Sequence, residues 1–550
     1  MLLKGYVKYK TEDVESYYRN RWWLGLTIGD LLDKAADLYP GKEALVEGSM
    51  RFTYAQLREQ TNRLAIGFMK LGIKYGDPVM LQFPNWHEFP SVFFALQKIG
   101  AITVLLLPRH SRAEIDSLCS STKAVAWIVP EKYRDIEYLD AVNDVKVKNP
   151  QLKHVILLRA KKSEQFVSLN NLMHEAVLSE VNIRELIHRK PDPGEVAVIL
   201  PSGGTTGMPK AVPRTHNDFI CYTEYKARAL ELNSFDRTLV FTPLGHGMSL
   251  NCGITPTIFA YGKLVILDTT RPEDFCRTVQ KERITYSPIV PTLLRRIIDF
   301  ERLKDYDLSS LIRFNVGGAS STPDLIERVQ KEIGCKYCNS FGMVEGLCCQ
   351  IRLNDDKELV MSGSVGRPLN PYDTIRVVDS DLKPLPLNTE GELVGKGPTI
   401  FTGYLNFPEE NSRAFTPDGF FRTGDLAIID SNGNVKITGR IKDIIIRGGE
   451  NIGADAVEEI VSGHPDIKEV SVVSVPDKDL GEKVCACIVV HPGRKSPTLE
   501  DIAKFLKEKG AGKLLIPERI EYFDEIPITS VNKPDKHMLR EEVKKRAGIS

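Results

Sequence analysis

The chain has 550 residues, 42% hydrophobic, 27% charged and 8% aromatic, with 73 Lys and Arg matched by 73 Asp and Glu. This is an ordinary globular composition, long enough for about three or four units at roughly 100–200 residues each. Zero net charge argues against a nucleic-acid-binding protein, which carries a basic excess on one face. Apolar runs such as Ala101 to Pro108 stop far short of the roughly 18 residues of a membrane helix, so no membrane span is expected.

The opening segment lacks an apolar core and a cleavage site, which predicts a cytoplasmic protein. Strand-like and helix-like runs then alternate: Pro78–Phe83, Glu88–Ile99, Ile102–Leu107, Arg112–Ser121 and Ala124–Val129. The alternation resumes with strands at Thr238–Phe241, Lys263–Leu267, Ile284–Val290 and Ile312–Val316, and helices at Glu273–Glu282, Thr292–Phe300 and Pro323–Ile333. Such patterning predicts parallel sheets covered by helices. Ten cysteines are too few for a disulfide scaffold. Cys335, Cys338, Cys348 and Cys349 crowd together, but an adjacent pair is poorly spaced to complete a tetrahedral zinc site, so they read as buried small hydrophobes.

Beyond about residue 355 the texture shifts to short strands and turns, with Asp430-Ser-Asn-Gly-Asn434 reading as a hairpin turn. A compact α+β unit comes next, with a helix at Ala454–Ser462, strands at Glu469–Val475 and Val484–Val490, a helix at Leu499–Lys509 and a strand at Arg519–Phe523. The expected fold class is therefore α/β: a large N-terminal domain (1–441) of α/β subdomains plus a β-rich subdomain, then a small α+β domain (442–550).

The most informative segment runs from Ile199 to Pro213. An apolar strand leads into Ser202, Gly203, Gly204, Thr205, Thr206 and Gly207, and then to Lys210. Small residues let backbone amides close on an anion, hydroxyls add donors and the lysine adds charge, so the loop suits a polyphosphate. A P-loop is excluded by spacing, because it needs Gly-Lys-Ser/Thr opening a helix. Here Met208-Pro209 separates Gly207 from Lys210, and Pro213 would interrupt a helix started at the lysine.

This loop resembles the Ser-Gly-Thr-Thr-Gly-x-Pro-Lys signature of the acyl-adenylate-forming superfamily, which comprises acyl-CoA synthetases, adenylation domains and luciferase. Three more segments match in order: Ser340-Phe341-Gly342-Met343-Val344-Glu345, Thr423-Gly424-Asp425, and Gly439-Arg440 through Arg447 to Asn451. The opening of the chain looks like the stand-alone aryl-acid-activating branch, of the 2,3-dihydroxybenzoate-AMP ligase type. By this resemblance Glu345 holds Mg²⁺ on ATP, Asp425 binds the ribose hydroxyls with Arg440 close by, and Gly317, Gly318 and Ala319 pack against adenine and the acyl group. Val344 stands where many relatives carry Thr. Pro527 to Lys536 looks like the segment that delivers the catalytic lysine, which makes Lys533 the match and Lys536 its competitor. The usual Gly is Asn532 here, a residue that tolerates left-handed backbone.

The resemblance also makes Lys442 a hinge about which a mobile small domain swings between two poses, bringing Gly448, Gly449 and Glu450 to the site as a thiol tunnel. It implies ATP, Mg²⁺ and CoA as cofactors and a small carboxylate as substrate. Such a carboxylate is ionised at neutral pH, so attack on the α-phosphate requires charge and alignment rather than a general base. His246, Gly247 and Cys252 resemble the wall of the acid pocket, with His246 also placed among the catalytic residues. Gly247 and Cys252 stand where catechol-acid activators carry Asn and Ser, so a dihydroxybenzoate is disfavoured and an unsubstituted aryl or alicyclic ring is expected, passed to CoA. The alternative is a 2,3-dihydroxybenzoate or salicylate adenylase loading an aryl carrier protein in siderophore assembly.

Overall fold

Continuous apolar runs such as Pro78–Gln82 and Ile102–Leu106 are buried at every position, which is the demand of a parallel strand covered on both faces. The computed structural model, which describes residues 3–160, 166–202, 208–447, 450–509, 511–529 and 533–549, puts them at the centre of a seven-stranded sheet. Its order is Ala211–Thr215, Val196–Pro201, Ile102–Leu106, Pro78–Gln82, Ala126–Pro130, His154–Leu158 and Val167–Ser168. All neighbours are parallel except the first pair, an antiparallel hairpin whose loop carries Ser202 to Lys210.

A nine-stranded sheet holds the rest of the alternating pattern. It runs from Arg367–Pro368 through Cys348–Gln350, Lys336–Gly342, Arg313–Gly317, Tyr286–Ile289, Arg237–Val240, Lys263–Ile266 and Glu43–Glu47 to Met50–Thr53. Its central strands are parallel, so their carboxyl ends share one edge. In open α/β sheets that edge is where ligands bind.

The β-rich subdomain is a four-stranded antiparallel sheet of Thr374–Val378, Glu390–Lys396, Phe421–Ile429 and Val435–Arg440. The last two strands are joined by the Asp430–Asn434 turn, where Asp430 Oδ1 accepts from the backbone of Asn432 and Asn434. The sheet ends at Arg440, a single 3₁₀ turn spans Ile441–Asp443, and the next strand, Ile444–Arg447, belongs to a different, five-stranded sheet. Helices Ala454–Val461, Leu499–Glu508 and Lys536–Arg546 accompany that second sheet. The fold class is thus α/β, a large N-terminal body followed by a small C-terminal domain.

The sequence-derived elements agree with these to within about two residues, with three differences. The Pro323–Ile333 run is α-helical only to Arg328 and widens into a π-turn at Val329–Ile333. A second π-turn, Leu250–Ile254, sits inside the segment expected to wall the acid pocket. The helix Lys536–Arg546 was not expected, because its lysines read as a solvated tail.

Cys335, Cys338, Cys348 and Cys349 are buried free thiols lying in four separate apolar clusters. Among the described residues they form no metal-ligating group. No helix among those residues is long and apolar enough to cross a membrane.

Candidate active site

The strand Val196–Pro201 and its partner Ala211–Thr215 fix both ends of the phosphate-type loop. Ser202 donates its N–H to the Lys210 carbonyl at 2.9 Å, and Lys210 returns its N–H to Ser202 Oγ at 3.0 Å. The hydroxyl thereby accepts at the loop neck and keeps its own hydrogen to donate. Gly203, Gly204, Thr205, Thr206 and Gly207 lie outside the described residues.

Lys210 projects over the ring of Tyr404, its ammonium 4.2 Å from the centroid, and pairs with Glu410 at 3.2 Å. The Tyr404 hydroxyl donates to Glu345 Oε1 at 2.9 Å. Glu345 is buried, and burial raises its carboxyl above the ordinary range despite Tyr404, Lys210 and the Arg214 guanidinium. Among the described residues no ion pair satisfies it.

The backbone around Glu345 is held by Arg214, fully buried and ion-paired with Asp218, which donates to the carbonyls of Val344 and Thr399 at 2.8 and 2.7 Å. Gly346 comes next at φ +109°, where a Cβ would overlap the Thr399 carbonyl oxygen, so only glycine fits. Tyr404, Glu410 and Arg214 were all missed by sequence reasoning. The Gly403-Tyr404 pair after Gly397-Pro398 was the available signal for the first.

The carboxyl ends of two neighbouring strands supply the opposite wall. Gly317 and Ser340 are register partners, and a Cβ on Gly317 would lie 2.6 Å from Ser340 Oγ. Gly318 takes φ +92°, and Lys533 of the small domain lies against it, its Cε 3.3 Å from where a Cβ would stand. Ala319 is exposed, while Phe341, Gly342 and Met343 form the half-open rim leading to Glu345.

Lys533 is held as Lys210 is. Thr529 donates its N–H to the Lys533 carbonyl at 2.7 Å, and Lys533 N–H returns to Thr529 Oγ1 at 3.3 Å. Burial and the Arg440 charge bring the Lys533 ammonium down to about 8, with Asp425 opposing. Asp425 and Arg440 pair across the antiparallel sheet, Oδ1 accepting from Nε at 2.8 Å, and burial raises the Asp425 carboxyl. Lys536, the competing lysine, is committed to Asp455 at 3.1 Å and Glu458 at 3.0 Å. Asn532 lies outside the described residues.

His246 caps the short helix Gly247–Ser249, its Nδ1 accepting the Met248 N–H at 3.2 Å. Burial, with the Lys533 charge second, lowers its pKa to about 3, so the ring is neutral and carries its proton on Nε2. Gly247 has room for a side-chain root, its nearest neighbours being Val344 Cγ1 at 3.4 Å and Asn251 Nδ2 at 3.8 Å. Cys252 is buried in the π-turn, 4.0 Å from the Tyr222 hydroxyl. Lys442 and Glu450 are exposed, whereas the neighbouring Asp443 is buried and paired with Arg540 at 2.6 Å. Gly448 and Gly449 lie outside the described residues.

Lys210 beside Tyr404 and Glu345 is one group, and Lys533 with Gly318, Asp425 and Arg440 is another; their chemistry, two lysines on hydroxyl-closed loops, a buried carboxylate and an Asp–Arg pair, suits a nucleotide polyphosphate and its sugar. Residues 32–405 match the AMP-binding enzyme family and 456–533 its C-terminal domain. The chain belongs to the AMP-binding enzyme family. It is an AMP-forming ligase of the acyl-adenylate-forming superfamily, on the aryl-acid branch, and ATP is its co-substrate.

Among its relatives is a 2,3-dihydroxybenzoate-AMP ligase of Bacillus subtilis, 35% identical over 99% of both chains. A salicylyl-CoA synthase / salicylate adenylyltransferase of Streptomyces is 33% identical over 100% of this chain and 99% of its own. A salicyl-AMP ligase / salicyl-S-ArCP synthetase of Mycobacterium tuberculosis is 32% identical over 98% and 94%. The solved structure of MbtA from Mycobacterium smegmatis superposes with a TM-score of 0.74 at 31% identity, covering 98% and 99% of the two chains.

Proposed function

We propose that the chain activates a ring-bearing carboxylic acid with ATP, releasing pyrophosphate, and then passes the acyl group from the adenylate to a thiol. The observation that carries this reading is Lys533 of the small domain resting against Gly318, its charge reaching His246 and Asp425, with Lys210 and Glu345 gathered about Tyr404 on the side we assign to the polyphosphate.

The acid arrives ionised and needs alignment rather than a base. Lys210 draws the departing phosphates, and Lys533 stabilises charge growing on the α-phosphoryl group. The neutral His246 offers an Nε2–H at the carboxylate end of the pocket without adding charge. Asp425 accepts from ribose hydroxyls while Arg440 holds it in place. A buried carboxylate without an ion-pair partner is a fitting oxygen ligand for Mg²⁺, and Glu345 would hold it; the ion supplies neutralisation of the polyphosphate.

For transfer, Lys442 is the pivot of the small domain, and the face beginning at Arg447 replaces Lys533. The relatives' names support a carrier-protein thiol as acceptor better than CoA, which moves the balance from the first expectation to its alternative. CoA remains the second reading, favoured by the salicylyl-CoA synthase relative.

Carboxylate-dependent ATP–pyrophosphate exchange with benzoate, salicylate and 2,3-dihydroxybenzoate tests the first step. Thioester formation with CoA and with an aryl carrier protein tests the second. Exchange is expected with at least one ring acid, and exchange with none of them overturns the reading.

A further inference from the structure

Lys226 is fully buried on the helix His216–Ala229. Its ammonium donates to Gln350 Oε1 at 2.6 Å and approaches Cys348 Sγ at 3.6 Å. The Tyr222 ring centroid lies 5.6 Å away. Among the described residues no carboxylate pairs with it. An ammonium has three protons to donate, and an amide oxygen and a weakly accepting sulfur leave the charge uncompensated. Buried charges are ordinarily paired, so this one calls for a partner that the described residues do not supply.

Its surroundings connect it to the Gly247–Cys252 segment, read above as the wall of the acid pocket. Tyr222, one turn earlier on the same helix, reaches Cys252 with its hydroxyl, and Tyr286 donates to the Cys252 carbonyl at 2.6 Å. Asn251 and Asn315 flank the same segment. Each is buried, and each has a side-chain oxygen with no hydrogen-bond partner among the described residues. Asn251 Nδ2 is 3.8 Å from where a Gly247 Cβ would stand, and Asn315 Nδ2 is 3.7 Å from Met248 Sδ, so both border the Gly247–Cys252 wall. Cys252 lies six residues beyond His246, past the short helix Gly247–Ser249 and inside the π-turn Leu250–Ile254, so the two mark separate points on that wall. The reacting carboxylate belongs at the His246 end, beside Lys533. Lys226, beside Tyr222 and Cys348, therefore belongs with the Cys252 end of that wall.

We infer that Lys226 recognises an oxygen substituent, a hydroxyl or a second carboxylate, on the ring edge remote from the carboxyl group that is activated. The inference rests on the aryl-acid reading and narrows it. It also departs from the expectation of an unsubstituted ring, which weighed only Gly247 and Cys252. The unpaired oxygen of Asn251 or of Asn315 accepts the hydroxyl proton while Lys226 donates to the hydroxyl oxygen. A second carboxylate uses Lys226 alone and leaves both amide oxygens unserved.

The test compares kcat/KM in pyrophosphate exchange for benzoate, 3- and 4-hydroxybenzoate and terephthalate, in the wild type and in Lys226→Met and Lys226→Gln. The wild type is expected to prefer an oxygen-bearing acid to benzoate by about tenfold or more, and the ratio should fall by about 10- to 100-fold in both variants. Preference for the hydroxybenzoates identifies a hydroxyl, and preference for terephthalate identifies a second carboxylate. A wild-type ratio near one, or a ratio unmoved in the variants, overturns the assignment of Lys226 while leaving aryl-acid activation intact. Exchange with no ring acid overturns both.

Discussion

The side chain of Lys533 rests on Gly318, its Cε 3.3 Å and its Nζ 3.8 Å from where a Cβ on that glycine would stand. Two domains meet at this point. The glycine's φ of +92° lets the strand end turn away without a side chain, and the space so left is what the lysine fills. Gly318→Ala places a methyl group in that space on a backbone that costs an L-residue about 1–2 kcal/mol. Adenylation should fall about tenfold or more, read by pyrophosphate exchange. Unchanged exchange would mean that Lys533 need not approach Gly318.

Glu345 and Tyr404 act as a pair 59 residues apart in sequence. Glu345→Gln removes the charge that suits Mg²⁺, and adenylation should drop by about 10². Tyr404→Phe removes one charge-directed hydrogen bond and the polar edge of the ring under Lys210, a loss of about tenfold. Raising free Mg²⁺ should partly restore the Tyr404 variant and not the Glu345 one. Wild-type exchange in both would take the pair out of the site.

The pH dependence derives from Lys533. On the proposed role its protonated form is the active one, and its pKa is lowered to about 8. The kcat/KM for adenylation should therefore be level through neutrality and decline as pH rises through about 8, because the free enzyme then loses the charge. His246, lowered to about 3, should add no inflection near its ordinary value of about 6.5. A profile that stays flat to pH 10 would contradict the role given to Lys533.

Gly247→Asn adds a polar group beside Asn251 and Val344, where a Cβ meets only ordinary contacts. The ratio of kcat/KM for 2,3-dihydroxybenzoate to that for benzoate should rise. A ratio that stays put would mean that Gly247 does not face the ring.

Much of this was legible in the sequence because linear motifs carry it. Ser202, Lys210 and Glu345 sit where a strand meets a loop, and strand ends are well marked by apolar runs and glycines; Asp425 sits inside the strand Phe421–Ile429 but directly after the Thr423-Gly424 pair that flags it. Tyr404, Glu410 and Arg214 were illegible because the fold, not the motif, brings them to Lys210 and Glu345. Lys226 was hidden for another reason. A lysine on a helix ordinarily reads as solvated, and only the spacing of Phe219, Tyr222, Thr223 and Lys226, all buried on one face, marks it as interior. The π-turn at Leu250–Ile254 left no periodicity signal, since one widened turn changes the phase of a helix without changing its composition.

The central claim, that one lysine serves the first half-reaction and a pivot serves the second, is tested most directly by single-turnover assay of each half-reaction in Lys533→Ala and Lys442→Pro. Lys533→Ala should lower adenylation by about 10²–10³ and still transfer from a supplied acyl-adenylate at near the wild-type rate. Lys442→Pro, with φ fixed near −65°, should adenylate and fail to transfer. Equal loss of both steps in both variants would contradict the account and leave a single fixed active site.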